Sequence, residues 1–278
     1  MSPRSEIEAM FGLADRVAVV TGASGTLGSA IARALGLAGA KVALVARQAE
    51  GLSRVHDALS CEGIDALQAT ADVLSSAQLD AARDVVLERW GRIDALVCAA
   101  GGNVPAATVA VDGAFNDIPE EAFRSALEVN LLGTWLPCQA FADALVAGGG
   151  EGAIVTISSM AARRALSRVP AYGAAKAAVE SLTRSLAIEL AQRHGDRLRV
   201  NALAPGFFLG AQNRALLLND AGRPTARGEA ILARTPAGRF GEPGDIGGAA
   251  VWLCSPASRF VTGTVIAVDG GFGAFSGV

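Results

Sequence analysis

The chain has 278 residues, of which 51% are hydrophobic and 18% are charged. This composition supplies enough apolar side chains for one large α/β domain and argues against an intrinsically disordered chain. The 24 basic and 27 acidic residues give a formal net charge of −3 at pH 7, a balance that disfavours nucleic acid as a partner.

The four cysteines lie far apart without a CxxC pair, and there are only two histidines. This spacing argues against a disulfide framework and against a zinc site, so we expect reduced thiols and no metal. The first twelve residues lack the apolar core of a signal peptide, and no apolar run approaches the ~18 residues of a membrane span. We therefore expect a cytoplasmic protein that does not bind membranes.

Short apolar segments alternate along the chain with longer amphipathic or alanine-rich segments. The predicted strands are residues 17–21, 41–46, 66–71, 93–98, 153–158, 198–202 and 264–268. The predicted helices are residues 28–38, 52–61, 75–90, 119–146, 171–194 and 244–254. Alternation of this kind, with strands that are apolar throughout, predicts a single Rossmann-type α/β domain over residues 1–278. The domain is expected to be a doubly wound parallel sheet of about seven strands with helices on both faces.

The interval from about residue 205 to residue 240 interrupts this alternation. It contains no predicted strand, several polar turns and one short helical run at residues 212–218. A loop of this length in a compact domain is usually functional. We expect a flap over the substrate site after the sixth strand, and the alternative is a surface insertion without a function.

A glycine-rich turn follows the first predicted strand and opens the first helix. Residues 21–28 read TGASGTLG and are called the glycine turn below. Its glycines permit a tight turn and a close approach of the backbone to a pyrophosphate, which would bind at the helix N-terminus. Its position at the first strand-to-helix crossing predicts a dinucleotide site.

A second pattern predicts acid–base chemistry. Tyr172, the only tyrosine, and Lys176 are four residues apart near the start of a helix and therefore share one face. A nearby ammonium group lowers the pKa of a phenol toward the range useful for proton transfer. Ser159 lies at the carboxyl end of the fifth strand, where open α/β sheets bind ligands. Asn130 is predicted in mid-helix, an unfavourable position unless its amide has a buried role.

Together these residues resemble the short-chain dehydrogenase/reductase family over essentially the whole chain. The matching positions also include Pro205-Gly206 and the stretch from Val261-Thr262-Gly263 to Asp269-Gly270-Gly271. The resemblance implies a catalytic set in which Tyr172 transfers the proton and Ser159 steadies the substrate oxygen. It further implies that Lys176 holds the nicotinamide ribose, and that Asn130 holds a water that links this lysine to solvent.

The resemblance also implies a site for NAD(P). The expected cofactor-binding residues are Gly22, Ser24, Gly25, Thr26, Leu27, Arg47, Asp72, Val73, Ala99, Ala100, Gly101, Tyr172, Lys176, Pro205, Gly206 and Phe208. Two positions depart from the usual family motifs. Thr26 replaces a glycine of the turn, and Cys98-Ala99-Ala100-Gly101 replaces Asn-Asn-Ala-Gly after the fourth strand.

The end of the second strand bears on the choice of cofactor. An NAD-selective enzyme carries an acidic residue there for the adenosine ribose, but this chain has Ala46 followed by Arg47. An arginine can pair with the 2′-phosphate of NADP. We expect NADP(H) to be favoured over NAD(H), and the alternative is that Arg47 stacks on adenine and both cofactors bind.

The substrate prediction comes from residues 100–105, 205–208, 212–217, 235–241 and 268–278. These stretches resemble the branch of D-mannonate oxidoreductases, or fructuronate reductases, which implies a sugar acid. Its carboxylate needs a cation, and its hydroxyl groups need amides. The expected substrate residues are Asn103, Arg163, Arg164, Arg168, Gln212, Asn213 and Arg214.

Two other functions fit the sequence less well. A 3-oxoacyl or hydrophobic-alcohol dehydrogenase of the same family could use Phe207, Phe208 and residues 216–218 as an apolar slot. A non-catalytic dinucleotide sensor could share the fold, since fold alone does not fix function. Such a sensor would be expected to lose the tyrosine or the lysine.

The helix predicted at residues 171–194 bears on assembly. Ala178, Leu182, Leu186 and Leu190 recur about every four residues and form an apolar stripe. The family resemblance implies a homotetramer built on two long helices of each subunit. The alternative is that this stripe faces the sheet.

Overall fold

Seven parallel strands form one sheet in the computed structural model, which describes residues 3–147, 150–210 and 213–277. The strands are β1 (Val17–Thr21), β2 (Lys41–Ala46), β3 (Ala66–Thr70), β4 (Ala95–Cys98), β5 (Gly152–Ile157), β6 (Leu198–Pro205) and β7 (Val265–Val268). Their order in the sheet is β3-β2-β1-β4-β5-β6-β7. The order reverses between β1 and β4, which opens a crevice at the carboxyl ends of these strands. The predicted Rossmann-type sheet is therefore confirmed.

Helices cover both faces of the sheet. They are α1 (Pro3–Phe11), α2 (Thr26–Leu37), α3 (Ala49–Cys61), α4 (Ser76–Trp90), α5 (Glu120–Leu127), α6 (Gly133–Phe141), α7 (Ala144–Ala147), α8 (Pro170–His194), α9 (Arg214–Leu217), α10 (Ala226–Leu232) and α11 (Gly247–Cys254). Helices α2, α3 and α11 contribute to one hydrophobic core, and α4, α6 and α8 contribute to a core on the opposite face. Burial on both faces explains why β1 and β5 are apolar along their length.

The helix predicted at residues 119–146 is wrong as a continuous element. Helix α5 ends at Leu127, residues Glu128–Leu132 form a π-helical turn, and α6 begins at Gly133. A π-turn inserts one residue into the helical repeat and is frequent at functional sites. The apolar periodicity is preserved on both sides of this turn, so the sequence pattern alone did not reveal it.

The segment after β6 folds as a small unit with its own apolar cluster. Leu217, Ile231 and Phe240 are buried there, at 2%, 7% and 8% exposure. Helix α10, which the sequence analysis missed, begins after Thr225, whose hydroxyl accepts a hydrogen bond from Gly228 N over 3.1 Å. The described part of this segment is therefore a folded insertion that contains the short helices α9 and α10.

The apolar stripe predicted on α8 does not form an exposed face. Leu186 and Leu190 are partly buried against the core beneath the sheet, as the alternative interpretation had it. The apolar side chain that α8 presents to solvent is Ile188, which is 59% exposed. Among the described residues, no helix combines the length and the hydropathy that a bilayer span requires.

Candidate active site

The π-turn places Asn130 in the interior beside the loop that follows β4. Asn130 has no solvent exposure, and its Nδ2 donates to Gly102 O and to Ala126 O, each over 2.9 Å. Its Oδ1 accepts a hydrogen bond from Gly102 N over 3.0 Å. Asn130 therefore clamps this loop through both ends of its amide, which is the buried role expected of an asparagine within a helix.

Lys176 reaches the same place from α8. Its side chain is 3% exposed, and Nζ donates to Ile157 O over 2.8 Å. A Cβ built on Gly101 would lie 2.7 Å from Asn130 Oδ1 and 3.4 Å from Lys176 Nζ. A side chain at position 101 would therefore fill the space in front of the lysine, so glycine keeps that space open.

Tyr172 lies one helical turn before Lys176, and the ammonium is 5.7 Å from the centre of its ring. Helix α8 begins with Pro170, whose fixed backbone conformation favours a helix start just before the tyrosine. The structure thus brings both residues to one site, as their spacing predicted. We call Tyr172 and Lys176 the proton-transfer pair.

Ser159 follows β5 and is 7% exposed. Its Oγ accepts a hydrogen bond from Ala161 N over 3.1 Å, which starts the short helical turn Met160–Ala162. The Ser159 side chain also acts on Tyr172 in the direction that lowers the pKa of its phenol. Asn130, Ser159 and the proton-transfer pair therefore converge at the carboxyl edge of the sheet.

The expectation that Lys176 lowers the pKa of Tyr172 is wrong for this structure. Burial raises the pKa of the Tyr172 phenol above its ordinary value, and the group that acts in the lowering direction is Ser159. Burial also lowers the pKa of the Lys176 ammonium to about 8. The lysine is thus poised to exchange its own proton near neutral pH.

The glycine turn forms a shallow cradle at the end of β1. Gly22 has φ +65°, and a Cβ on Gly28 would lie 2.2 Å from Gly22 O, so neither position accepts a larger residue without movement. Gly25 caps the N-terminus of α2, and Ser24 is exposed. Backbone N–H groups at this helix end fit a pyrophosphate, so the residues present suit a dinucleotide.

Thr26, where family members usually have glycine, faces the segment after β6. A Cβ built on Gly210 would lie 2.7 Å from Thr26 Oγ1. Leu27 is half-buried beside it. The departure at position 26 therefore does not distort the start of α2, and it brings the turn into contact with the predicted flap.

The other predicted cofactor residues line the same edge of the sheet. Ala99 and Ala100 are half-buried after β4, and Asp72 is half-buried after β3, with Oδ1 accepting from Leu74 N over 3.0 Å. Val73 is 6% exposed and packs near Gly133. Arg47 is exposed directly after β2, the strand that pairs with β1, and Ser24 of the glycine turn lies against Gly51.

Pro205 ends β6, and Gly206 lies against Asp269, which follows β7. A Cβ on Gly206 would be 2.7 Å from the Asp269 Cα. The Phe208 side chain is 6% exposed and packs in the core, and a Cβ on Gly241 would lie 2.9 Å from its ring. The Phe208 ring is therefore held by core packing.

Several predicted substrate residues have other partners. Arg163 Nε donates to Glu180 over 3.0 Å, and Arg168 Nε donates to Val109 O over 2.6 Å. Arg164 Nε donates to Gly273 O over 2.9 Å. Backbone carbonyls and a carboxylate therefore compete with a substrate for these three arginines, and their role toward substrate stays a prediction.

Two of the predicted substrate amides, those of Asn213 and Asn103, also have hydrogen-bond partners within the protein. Both ends of the Asn213 amide close a loop, since Oδ1 accepts from Gly210 N over 2.9 Å and Nδ2 donates to Phe208 O over 2.7 Å. Asn103 Nδ2 donates to Thr108 Oγ1 over 2.7 Å. Gln212 lies outside the described residues. Arg214 is exposed at the start of α9 and has no side-chain partner within the described part of the chain.

Two cavities flank the C-terminal segment. One, of about 350 Å³, lies between the ends of β6 and β7 and the predicted flap, with Phe207, Arg239 and Asp269 in its wall. The other, of about 320 Å³, is called the arginine cavity. It is lined by Arg164, Ala165, Leu166, Arg234, Phe272, Phe275, Ser276 and Gly277.

Sequence reasoning missed two residues here. Arg234 lines the arginine cavity. It lies outside the sequence motifs named above, so no pattern in the sequence pointed to it. Glu180 is 5% exposed and meets Arg163. An acidic residue four positions after Lys176, on a helix that faces the sheet, was a signal that could have found it.

Comparisons with known proteins agree with this geometry. A family model described as enoyl-(acyl carrier protein) reductase matches residues 22–273. The uncharacterized oxidoreductase UxuB of Bacillus subtilis (strain 168) is 41% identical over 275 residues, covering 96% of this chain and 98% of that protein.

Two crystal structures share both sequence and fold with this chain. A "putative D-mannonate oxidoreductase" from Haemophilus influenza with bound NAD is 36% identical, with a TM-score of 0.90 and coverage of 98% of this chain and 100% of that one. A gluconate 5-dehydrogenase from Burkholderia cenocepacia J2315, in complex with NADP and tartrate, is 33% identical, with a TM-score of 0.84 and coverage of 96% and 99%. Over nearly its whole length, the chain therefore resembles oxidoreductases that bind a nicotinamide cofactor.

Proposed function

This chain belongs to the short-chain dehydrogenase/reductase family of NAD(P)-dependent oxidoreductases that act on CH–OH groups, and within it we propose a sugar acid as substrate. The enzyme would interconvert a ketone and a secondary alcohol, as between fructuronate and mannonate. The observation that carries the proposal is the arginine cavity, whose wall includes Arg164, five residues after Ser159 in the chain, and Arg234. The names of the Haemophilus influenza and Burkholderia cenocepacia proteins, both of which refer to sugar acids, support it.

In the proposed mechanism, the bound nicotinamide supplies or accepts the hydride. Tyr172 donates its phenolic proton to the carbonyl oxygen during reduction and takes it back during oxidation. Ser159, which converges on the same site, holds the substrate oxygen beside this phenol.

Lys176 and Asn130 serve the supply of a proton to Tyr172. The pKa of Lys176 is about 8, so its ammonium can return a proton toward Tyr172 near neutral pH while holding the ribose. Asn130 fixes the loop at Gly101, which keeps the space before the lysine open for a water.

For the cofactor we propose NADP(H) over NAD(H). Ala46 is buried at the end of β2, and the next side chain, Arg47, is exposed after this strand, which pairs with the strand that precedes the glycine turn. A guanidinium in this place suits a 2′-phosphate, whereas Ala46 stands where an NAD-selective enzyme carries an acidic residue for the ribose hydroxyls. The pyrophosphate would lie on the N–H groups of Thr26 and Leu27 in the first turn of α2.

The substrate carboxylate needs a cation that is not fully engaged elsewhere. Arg164 uses part of its guanidinium on Gly273 O and shares the arginine cavity with Arg234. Arg214, exposed at the start of α9, is the third candidate. We propose that residues 205–240 act as a flap that brings Arg214 and Arg234 toward substrate.

The test is a spectrophotometric screen of NADPH and NADH against fructuronate, ketogluconates, a neutral ketose and a 3-oxoacyl thioester. We expect oxidation of the reduced cofactor with a hexuronate-type ketone. Alanine at the true carboxylate partner among Arg164, Arg214 and Arg234 should raise KM for the acid by about 10-fold, because a charge-assisted contact is lost. The same variant should retain its activity on the neutral ketose.

Arg223→Ala is the matched control, since it removes an exposed flap arginine that is absent from the walls of both cavities. Turnover of the thioester without turnover of any acid would establish the hydrophobic-substrate alternative instead. Of the residues that this alternative needs in a slot, Phe208 and Leu217 are buried in apolar clusters, whereas Phe207 lies in a cavity wall and Leu216 is exposed.

We further propose that the enzyme is a cytoplasmic homotetramer. Leu132, Trp135 and Ile188, from the π-turn, α6 and α8, are 43%, 39% and 59% exposed and offer apolar area for contact between copies. Light scattering at micromolar concentration should give four times the chain mass. A monomeric mass would contradict the proposed assembly.

A further inference from the structure

A buried carboxylate lies one helical turn beyond Lys176 on α8, and the proposed chemistry does not use it. Glu180 is 5% exposed, and its Oε1 accepts a hydrogen bond from Ser158 Oγ over 3.2 Å. Arg163 Nε donates to both carboxylate oxygens, over 3.1 and 3.0 Å. The Ser158 hydroxyl also faces Lys176 O at 3.3 Å. A buried charge is costly unless such donors meet it, so Glu180 holds these partners firmly in place.

The two partners of Glu180 lie on either side of Ser159 in the chain. Ser158, which is 1% exposed, precedes it at the end of β5. Arg163 is the residue that ends the short turn Met160–Ala162, which Ser159 itself begins. The carboxylate therefore ties the chain before the serine and the chain after it to α8, the helix that carries the proton-transfer pair.

We propose that Glu180 is a positioning residue of this active site. Its two partners fix the turn that carries Ser159, and with it the distance between that hydroxyl and the phenol of Tyr172. Arg163 then serves the reaction by holding Glu180, and not by meeting the substrate carboxylate. A misplacement of about 1 Å near reacting groups costs about 10²-fold in rate, so a small rotation of this turn is enough to matter.

The first test is Glu180→Gln, which keeps the size of the side chain and removes its charge. We expect kcat to fall about 10- to 100-fold, because Ser159 no longer meets the substrate oxygen correctly. The dissociation constant for NADPH should change by less than about twofold, since the glycine turn is untouched. Reduction is assayed with fructuronate, or with whichever compound of the screen the wild-type enzyme prefers, and NADPH binding is measured by fluorescence titration.

Arg184 provides a matched control on the same helix. Its guanidinium lies 3.8 Å from Glu180 Oε2, and its side chain is 53% exposed. Solvent screening makes such a contact weak, so Arg184→Ala should leave kcat unchanged. In contrast, Arg163→Gln should lower kcat. The double variant of Arg163→Gln and Glu180→Gln should lose no more kcat than the more damaging of the two single variants, because the two residues act as one unit.

A purely structural role would lower the melting temperature and leave the kcat of the folded enzyme intact. Crystal structures of wild type and Glu180→Gln separate the two roles without any substrate. The proposal expects Ser159 Oγ to move relative to Tyr172 Oη by about 0.5 Å or more. Should Glu180→Gln fail to fold, Arg163→Gln carries the same measurements from a side chain that is half exposed. Wild-type kcat together with an unmoved Ser159 would overturn the proposal.

Discussion

Lys176 allows a quantitative test of the electrostatics of this site. It is one of only two lysines in the chain, and its side chain is 3% exposed. Burial lowers its pKa from 10.5 to about 8 in the folded protein, and unfolding restores the ordinary value. Between these two pH values the unfolded chain binds more protons than the folded chain, so stability gained through Lys176 rises with pH.

The perturbation is Lys176→Met, which removes the titrating group and keeps an unbranched side chain. From the two pKa values, the free energy of unfolding of wild type relative to the variant should rise by ~2 kcal/mol between pH 7 and pH 9.5. Below pH 7 both states are protonated and the difference should be flat. Loss of the hydrogen bond to Ile157 O adds an offset of about 1–3 kcal/mol that does not vary with pH.

The assay is urea-induced unfolding of both proteins at pH 7, 8, 9 and 9.5, at one protein concentration so that assembly contributes equally. Comparison with wild type cancels the titration of the other ionisable groups. Lys41→Met, which removes the other lysine, is measured in parallel as the matched control. A wild-type minus variant difference that stays constant within about 0.5 kcal/mol from pH 7 to pH 9.5 would refute the assigned effect of burial on this lysine.

Three further outcomes are expected. Tyr172→Phe should lower kcat by about 10²–10⁴-fold with NADPH binding retained in fluorescence titrations, and near-normal turnover would remove Tyr172 as the proton-transferring group. Arg47→Asp should move the ratio of kcat/KM for NADPH and NADH tenfold or more toward NADH, because a contact of about 1.5–3 kcal/mol to the 2′-phosphate is lost; an unchanged ratio would show that Arg47 does not bind this phosphate. Arg199 is 4% exposed and donates to Leu253 O and Ser258 Oγ over 3.0 and 2.7 Å, so Arg199→Met should lower the free energy of unfolding by about 2–4 kcal/mol. Denaturant unfolding measures this loss, and wild-type stability would mean that these acceptors find other donors.

The sequence by itself determined the features that depend on local periodicity. The strands β1 and β2 begin and end where apolar runs begin and end, because both faces of a central parallel strand are buried. The spacing of four residues places Tyr172 and Lys176 on one face of any helix, whatever surrounds it. The glycine turn was readable for the same reason, since a tight turn after a strand requires glycine at fixed positions.

Tertiary structure decided which partner each polar side chain finds. Arg163 and Arg164 are neighbours in sequence, yet one meets Glu180 on α8 and the other meets Gly273 O at the far end of the chain. From the sequence, both arginines were equal candidates for binding the substrate, because the order of charged residues along a chain does not give the distances between helices and strands. Competition from nearby acceptors could be judged only after the chain had folded.

The net shift of the Tyr172 pKa likewise depended on packing. Sequence spacing predicted a lowering of this pKa by Lys176, but burial, which arises from elements remote in the chain, raises the pKa instead. The π-turn at Asn130 is a further example, because one additional residue per turn leaves the apolar pattern intact on both sides. The sequence therefore determined which groups are the candidates for the chemistry, whereas the packing of β4, β5 and α8 decided their burial, their hydrogen bonds and the direction of their pKa shifts.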